Sequence, residues 1–135
     1  MPIETINPAG VFAPSTYSQI AVGQGARTIY LSGQVALDEH GSLVGKGDLA
    51  SQTEQAYLNV GTALRAVGAS FQDIAKLTVY VVDWTPDKMD LLVAGAMRTA
   101  ERIGFDARRA ITLVGVMSLA SPDFLIEVEA VAMLD

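Results

Sequence analysis

Two stretches with helical periodicity are interleaved with β-branched runs, and this order restricts the fold more than any other feature of the chain. From Leu49 to Val67, Leu49, Thr53, Ala56, Val60, Ala63, Leu64 and Val67 recur at spacings of three and four, as one face of a helix requires. Asp48 stands where an N-cap is wanted, and Gly68 where a left-handed residue ends a helix. The second helix is predicted to begin with Thr85 as N-cap and Pro86 in the first turn, to carry the stripe Met89, Leu92, Val93, Ala96, Ala100, Ile103, and to end at Gly104. Between them, Ala75–Val82 (AKLTVYVV) suits a central strand. Upstream, Tyr17–Val22 and Thr28–Ser32 read as two strands joined by a turn at Gly23–Gly25, and Gln34–Leu37 as a strand end entering the turn Asp38–Gly41. Ala110–Val116 and Phe124–Met133 complete the pattern, separated by a loop carrying Pro122. The order β-β-(β)-α-β-α-β-β predicts an α+β layer fold, with both helices on one face of a mixed sheet and at least one crossover. Neither a linker nor a repeat divides residues 1–135, so one domain is expected.

Composition narrows the functions open to such a chain. With 135 residues, half of them hydrophobic, and a mean hydropathy of +0.33, disorder is excluded and some apolar surface is expected in a subunit interface. Apolar runs are too short for a membrane span, and no basic segment followed by an apolar one suggests a secretory signal. A cytoplasmic protein is therefore expected. The absence of Cys removes thiolate chemistry, and a single His removes a His-rich metal site. A net charge of −6 opposes binding to nucleic acid. The nearest basic cluster, Arg98, Arg102, Arg108 and Arg109, suits a small anion instead.

The last strand carries the most chemical information. Period two places Ile126, Val128, Ala130 and Ala132 on one face, and Leu125, Glu127, Glu129, Val131 and Met133 on the other. Two carboxylates flanked by apolar residues fit either a semi-buried cleft holding an acid, base or water-positioning group, or an ion pair across a subunit interface. Ser32-Gly33-Gln34 fits either backbone donors exposed to a substrate oxygen or a β-bulge. The one imidazole, His40, sits in a polar turn and reads as a loop residue. Trp84 reads as a cap on the helix entry, and Met89 and Met97 as core.

Taken together these segments resemble the Rid/YjgF family, best known for enamine/imine deaminases. The matching stretches run through nearly the whole chain: Asn7-Pro8, Tyr17–Ala21, Tyr30–Val35, Gln52-Thr53 with Asn59-Val60, Leu64 through Gly68-Ala69, Lys76–Tyr80, and Ile126–Ala132. The resemblance implies a chorismate mutase-like α+β fold and a homotrimer whose sheets form a central β-barrel, with small-molecule sites in clefts between subunits. It implies a hydrolase that needs no metal or organic cofactor. Carried over residue by residue, it makes Glu127 the water-positioning group and brings Tyr17, Ser32 and Gly33 into the same cleft.

The family's deaminases also hold the substrate carboxylate with an Arg at the start of the penultimate strand. Counting back from Glu127 without a gap puts Ile111 at that position, whereas Arg108 takes it only with about four residues inserted before the last strand. The ungapped register is preferred here, so an atypical cleft is expected, with Arg109, two residues before Ile111, as the cation able to bend in. Three functions follow: a deaminase-like hydrolase, a non-catalytic trimer that binds a small metabolite in the same clefts, and a ribonuclease, the last opposed by the charge.

Overall fold

The computed structural model describes residues 3–104, 106 and 108–135. The two helices form as their sequence patterns predict. Helix α1 spans Leu49–Ala66, and the Asp48 carboxylate accepts the Ser51 N–H at 3.1 Å, satisfying one of the donors a helix start leaves open. Gly68 follows with φ of +80°, a conformation only glycine adopts without strain. Before the second helix, Pro86–Lys88 forms a 3₁₀ turn, so helix α2 begins later than predicted, at Met89, and runs to Ile103 with left-handed Gly104 as its C-cap.

Six strands are present among the described residues. Strands β1 (Ile3–Ile6) and β2 (Ile20–Gly23) pair antiparallel in a sheet of their own. The main sheet holds β3 (Arg27–Gln34), β4 (Ile74–Val82), β5 (Ala110–Val116) and β6 (Ile126–Leu134) in the order β3-β6-β4-β5. Strands β4 and β5 are parallel, joined through α2, and the other pairs are antiparallel, so the sheet is mixed. The predicted turn at Gly23–Gly25 does not close a hairpin. Strand β2 takes β1 as its partner instead, and β3 pairs with β6.

One face of the main sheet is covered. Leu77, Val79, Val81, Ile126, Val128, Ala130 and Ala132 form the core with Ala56, Tyr57, Val60 and Leu64 of α1. The opposite face carries Tyr80, Glu127, Glu129, Val131 and Tyr30, and Tyr30 remains 78% exposed.

Helix α2 reaches the fold chiefly through α1. Gly95 sits so close to α1 that an added Cβ would stand 2.6 Å from Cβ of Thr53, and the Thr99 hydroxyl donates to the Glu54 carbonyl at 3.1 Å. Within α2 only Gly95 and Thr99 are buried. The predicted stripe instead borders an open cavity of about 740 Å³ between α2 and the sheet, so Met89 and Met97 line a cleft and are not closed into the core. No described helix is long and apolar enough to cross a membrane.

Candidate functional site

The chemistry-bearing residues fall into two groups at opposite ends of the sheet. The first is built on β3 and β6. Pairing between β3 and β6 runs Leu31↔Ala130 and then Gln34↔Val128, so Ser32 and Gly33 together oppose a single residue, which is a β-bulge. The bulge presses Gly33 against Glu127. A Cβ added there would lie 2.5 Å from Oε1 of Glu127, so any larger residue at position 33 would have to displace that carboxylate. Of the two readings of Ser32-Gly33, the strand register shows the β-bulge.

Two buried or half-buried amides of α1 frame this end. Gln52, fully buried, donates to the carbonyls of Gly45 and Asp123 at 3.1 and 3.0 Å and accepts the Leu125 N–H at 2.9 Å. Asn59 donates to the carbonyls of Val35 and Leu37 at 2.9 and 2.8 Å. The first fixes the entry into β6 just before Glu127, and the second fixes the exit from β3 just after Gly33.

The two carboxylates of β6 are not equivalent. The Tyr80 hydroxyl donates to Glu129 Oε1 at 2.5 Å, and this bond, aided by partial desolvation, raises the Tyr80 pKa above its ordinary value. Glu127 makes no hydrogen bond or ion pair with any described residue. It is the carboxylate left available to a water molecule or a ligand. Sequence reading did not single out Tyr80 as a site residue; its register with Glu127 is set by the pairing of β4 with β6.

The second group lies where the early loop meets the start of β5. The backbone N–H of Ser18 donates to the Arg109 carbonyl at 3.0 Å and its hydroxyl to the Arg108 carbonyl at 3.2 Å, which sets Tyr17 beside this segment. The Arg108 guanidinium grips Asp106, with Nε–Oδ1 at 3.0 Å and Nη2–Oδ2 at 2.9 Å. These bonds, with the charge of Arg109 added, hold the Asp106 carboxyl down at about 2. Arg109 itself is nine-tenths buried, and its Nε finds no partner among the described residues. Tyr17, Asp106, Arg108 and Ile111 all border the cavity under α2.

Strand register measures the separation of the two groups. Glu127 stands opposite Tyr80, and Tyr80 opposite Val114, six residues beyond Arg108. Four of those residues lie within β5, and at ~3.3 Å per residue they set the start of β5 about 13 Å from Val114 along the strand. The chain therefore brings Ser32, Gly33 and Glu127 together at one end of the sheet, and Tyr17, Arg108, Arg109 and Ile111 together at the other. Ile111 pairs with Leu77, and its side chain points to the helix-covered face, away from the face bearing Glu127. Ile111 borders the same cavity as Tyr17 and Arg108. Residues 117–125, between β5 and β6, form a loop with room for the extra residues that the Arg108 register needs. His40 lies in its exposed turn, 3.6 Å from Glu39, and Trp84 packs against Gly115. No cluster of three or more potential metal-binding side chains occurs among the described residues.

A mixed sheet carrying two helices, with a glycine bulge held against a free carboxylate, defines a recognisable class. Residues 10–134 match the family described as Endoribonuclease L-PSP, and the chain belongs to that family, the Rid/YjgF proteins. In solved structures, a Yersinia pestis protein of unknown function from the conserved Rid family is 37% identical and superposes with a TM-score of 0.87, covering 99% of this chain and 100% of the other. The YjgF gene product of E. coli is 28% identical at a TM-score of 0.67, covering 96% and 98%. A RutC family protein of Pyrococcus horikoshii is 34% identical over 77% of both chains. Human 2-iminobutanoate/2-iminopropanoate deaminase is 36% identical over 60% of this chain and 56% of its own, so the match spans about half the length of that relative.

Proposed function

We propose that the protein is a cofactor-free hydrolase of small 2-imino acids and their enamine tautomers, working as a homotrimer in which each site is completed across a subunit boundary. The observation that carries this reading is the free carboxylate of Glu127 held against Gly33, while its neighbour Glu129 is engaged by Tyr80. Glu127, with Ser32 and Gly33, forms the water-positioning half. Tyr17 and Arg108 of an adjacent subunit form the half that receives the substrate carboxylate, with buried Arg109 adding positive charge and Ile111 an apolar wall.

In the reaction, Glu127 takes a proton from water as the water oxygen bonds to the imine carbon and passes it to the imine nitrogen, giving a carbinolamine. The remaining hydroxyl proton is then transferred to nitrogen as the carbonyl forms, the carbon–nitrogen bond breaks, ammonia leaves and a 2-oxo acid remains. Backbone N–H groups at the Ser32-Gly33 bulge and the Tyr17 hydroxyl orient the carbon for attack. Support for the shared site comes from the separation of the two halves in one subunit and from the uncovered sheet face around Tyr30, Val131 and Glu129. The names of the mammalian relatives point to the same chemistry.

A second reading, a non-catalytic metabolite-binding trimer, is favoured by one observation: Arg108 already holds Asp106. RNA hydrolysis, suggested by the family's description, is opposed by the net charge of −6. The experiment that separates them couples imine generation by a dehydratase to measured release of oxo acid, with Glu127→Gln alongside. Release that accelerates with wild type and not with Glu127→Gln supports the hydrolase, and no acceleration by wild type removes it.

A further inference from the structure

The cavity under α2 is much larger than a three- or four-carbon imino acid needs. It measures about 740 Å³, with walls of Leu92, Val93, Ala96 and Met97 from α2 and Val79 and Leu113 from the sheet. Arg108 and Tyr17 border the same space, and Arg108 is exposed enough to stand at its rim. Asp106 and Arg108, paired with each other, are the charged residues on its border, and the buried Arg109 follows Arg108 directly in the chain. An apolar cavity with the Arg108 guanidinium and the Tyr17 hydroxyl at its border is complementary to a molecule with an apolar body and a single anionic head that displaces Asp106 from Arg108. Water inside would find few polar partners, so an apolar occupant gains from displacing it. The two Met side chains of α2, Met89 and Met97, add a wall that reshapes around varied outlines.

We infer that the substrates are 2-imino acids with large apolar side chains, the carboxylate at Arg108 and the side chain under α2. This inference rests on the hydrolase reading for its chemistry, and on the cavity alone for its size and polarity. An imine with a methyl side chain leaves most of the apolar wall uncovered. A branched four-carbon side chain buries three further carbons, which in a hydrophobic pocket raises kcat/KM by roughly 10- to 100-fold.

The test generates imines in place with an L-amino-acid oxidase acting on leucine or alanine and follows oxo acid release. The expected result is a kcat/KM for the leucine-derived imine at least about tenfold above that for the alanine-derived one, and a collapse of that ratio in Ala96→Phe, which fills the cavity. A ratio at or below one in wild type overturns the inference, as does a ratio unchanged in a folded Ala96→Phe variant. Calorimetry provides an arm independent of catalysis and of that variant: wild type should bind 4-methyl-2-oxopentanoate at least about tenfold more tightly than pyruvate. If no imine of any size is hydrolysed, the hydrolase reading falls and this arm alone decides. Tighter binding of the branched acid then upholds the apolar site, and equal binding overturns it.

Discussion

Gly33 approaches Glu127 so closely that a Cβ at position 33 would stand 2.5 Å from the carboxylate oxygen Oε1. The bulge at Ser32-Gly33 thereby sets where that carboxylate sits on the open face of the sheet. Gly33→Ala should push Glu127 out of position and lower kcat by about 10- to 100-fold, because a misplaced water-positioning group loses most of its value. Circular dichroism should show the fold retained. Activity equal to wild type in a folded Gly33→Ala would contradict the role given to this contact.

The inequality of the two carboxylates leads to a second expectation. Glu127→Gln should reduce kcat by roughly 10²- to 10⁴-fold, the usual value of a positioned acid–base group. Glu129→Gln keeps a hydrogen-bond acceptor for Tyr80 and should cost less than about tenfold. Steady-state kinetics on the two purified variants distinguishes them, and equal losses would remove the distinction.

In the proposed site Asp106, which already pairs with Arg108, would compete with the substrate carboxylate for it. Asp106→Asn should lower KM several-fold, while Arg108→Ala should raise it by about 10- to 100-fold, the value of one charge-assisted contact. The pH dependence follows from the carboxyl held at about 2 against an ordinary value of 3.8. A carboxyl whose folded pKa is depressed contributes stability that is present above its unfolded value and lost as pH falls through its folded value. The difference in denaturation midpoint between wild type and Asp106→Asn should therefore hold at neutral pH and disappear between about pH 4 and pH 2. The difference itself should be small, because the pair is half exposed and screened by solvent.

How much of this was legible in the residues varies with the distance over which each decision is made. Both helices, their Asp48 and Gly104 caps and the strands β4 to β6 follow from local pattern, because capping and periodicity act within a few residues. The pairing of the Glu127 and Glu129 face was equally visible in the alternation of β6. The partner of β2, by contrast, is Ile3–Ile6, a short strand whose exposed residues leave little periodicity to detect. The orientation of Ile111 depends on its register with Leu77, which no local pattern encodes, and on the length of the loop before Ile126. The stand-off of α2 arises because Gly95 and Thr99 bind it to α1, while its large apolar residues are left facing a cavity. The periodicity of an apolar stripe shows which way a helix faces and not how near its neighbour lies.

Helix α2 is held by close backbone approach, so Gly95→Leu should force it away from Ala50 and Thr53. Destabilisation of about 2–4 kcal/mol is expected for overpacking against a backbone that cannot yield. Urea denaturation measures it, and an unchanged midpoint would contradict the described packing.

The uncovered sheet face should be buried in the assembly. Sedimentation should give a trimer for wild type, and Tyr30→Asp, which places a charge on that face, should dissociate it and abolish hydrolysis with the fold kept. A wild-type monomer at micromolar concentration would contradict the shared site.

The most direct measurement of the central claim mixes two variants impaired in kcat/KM, each in a different half of the site. Glu127→Gln retains the Arg108 half and Arg108→Ala retains the Glu127 half. If each site draws one half from each of two neighbours, co-expressed variants in a cyclic trimer should restore about a quarter of wild-type activity, since a random pairing joins the two intact halves one time in four. Mixtures no more active than either parent would show that both halves belong to one subunit, and would contradict the account.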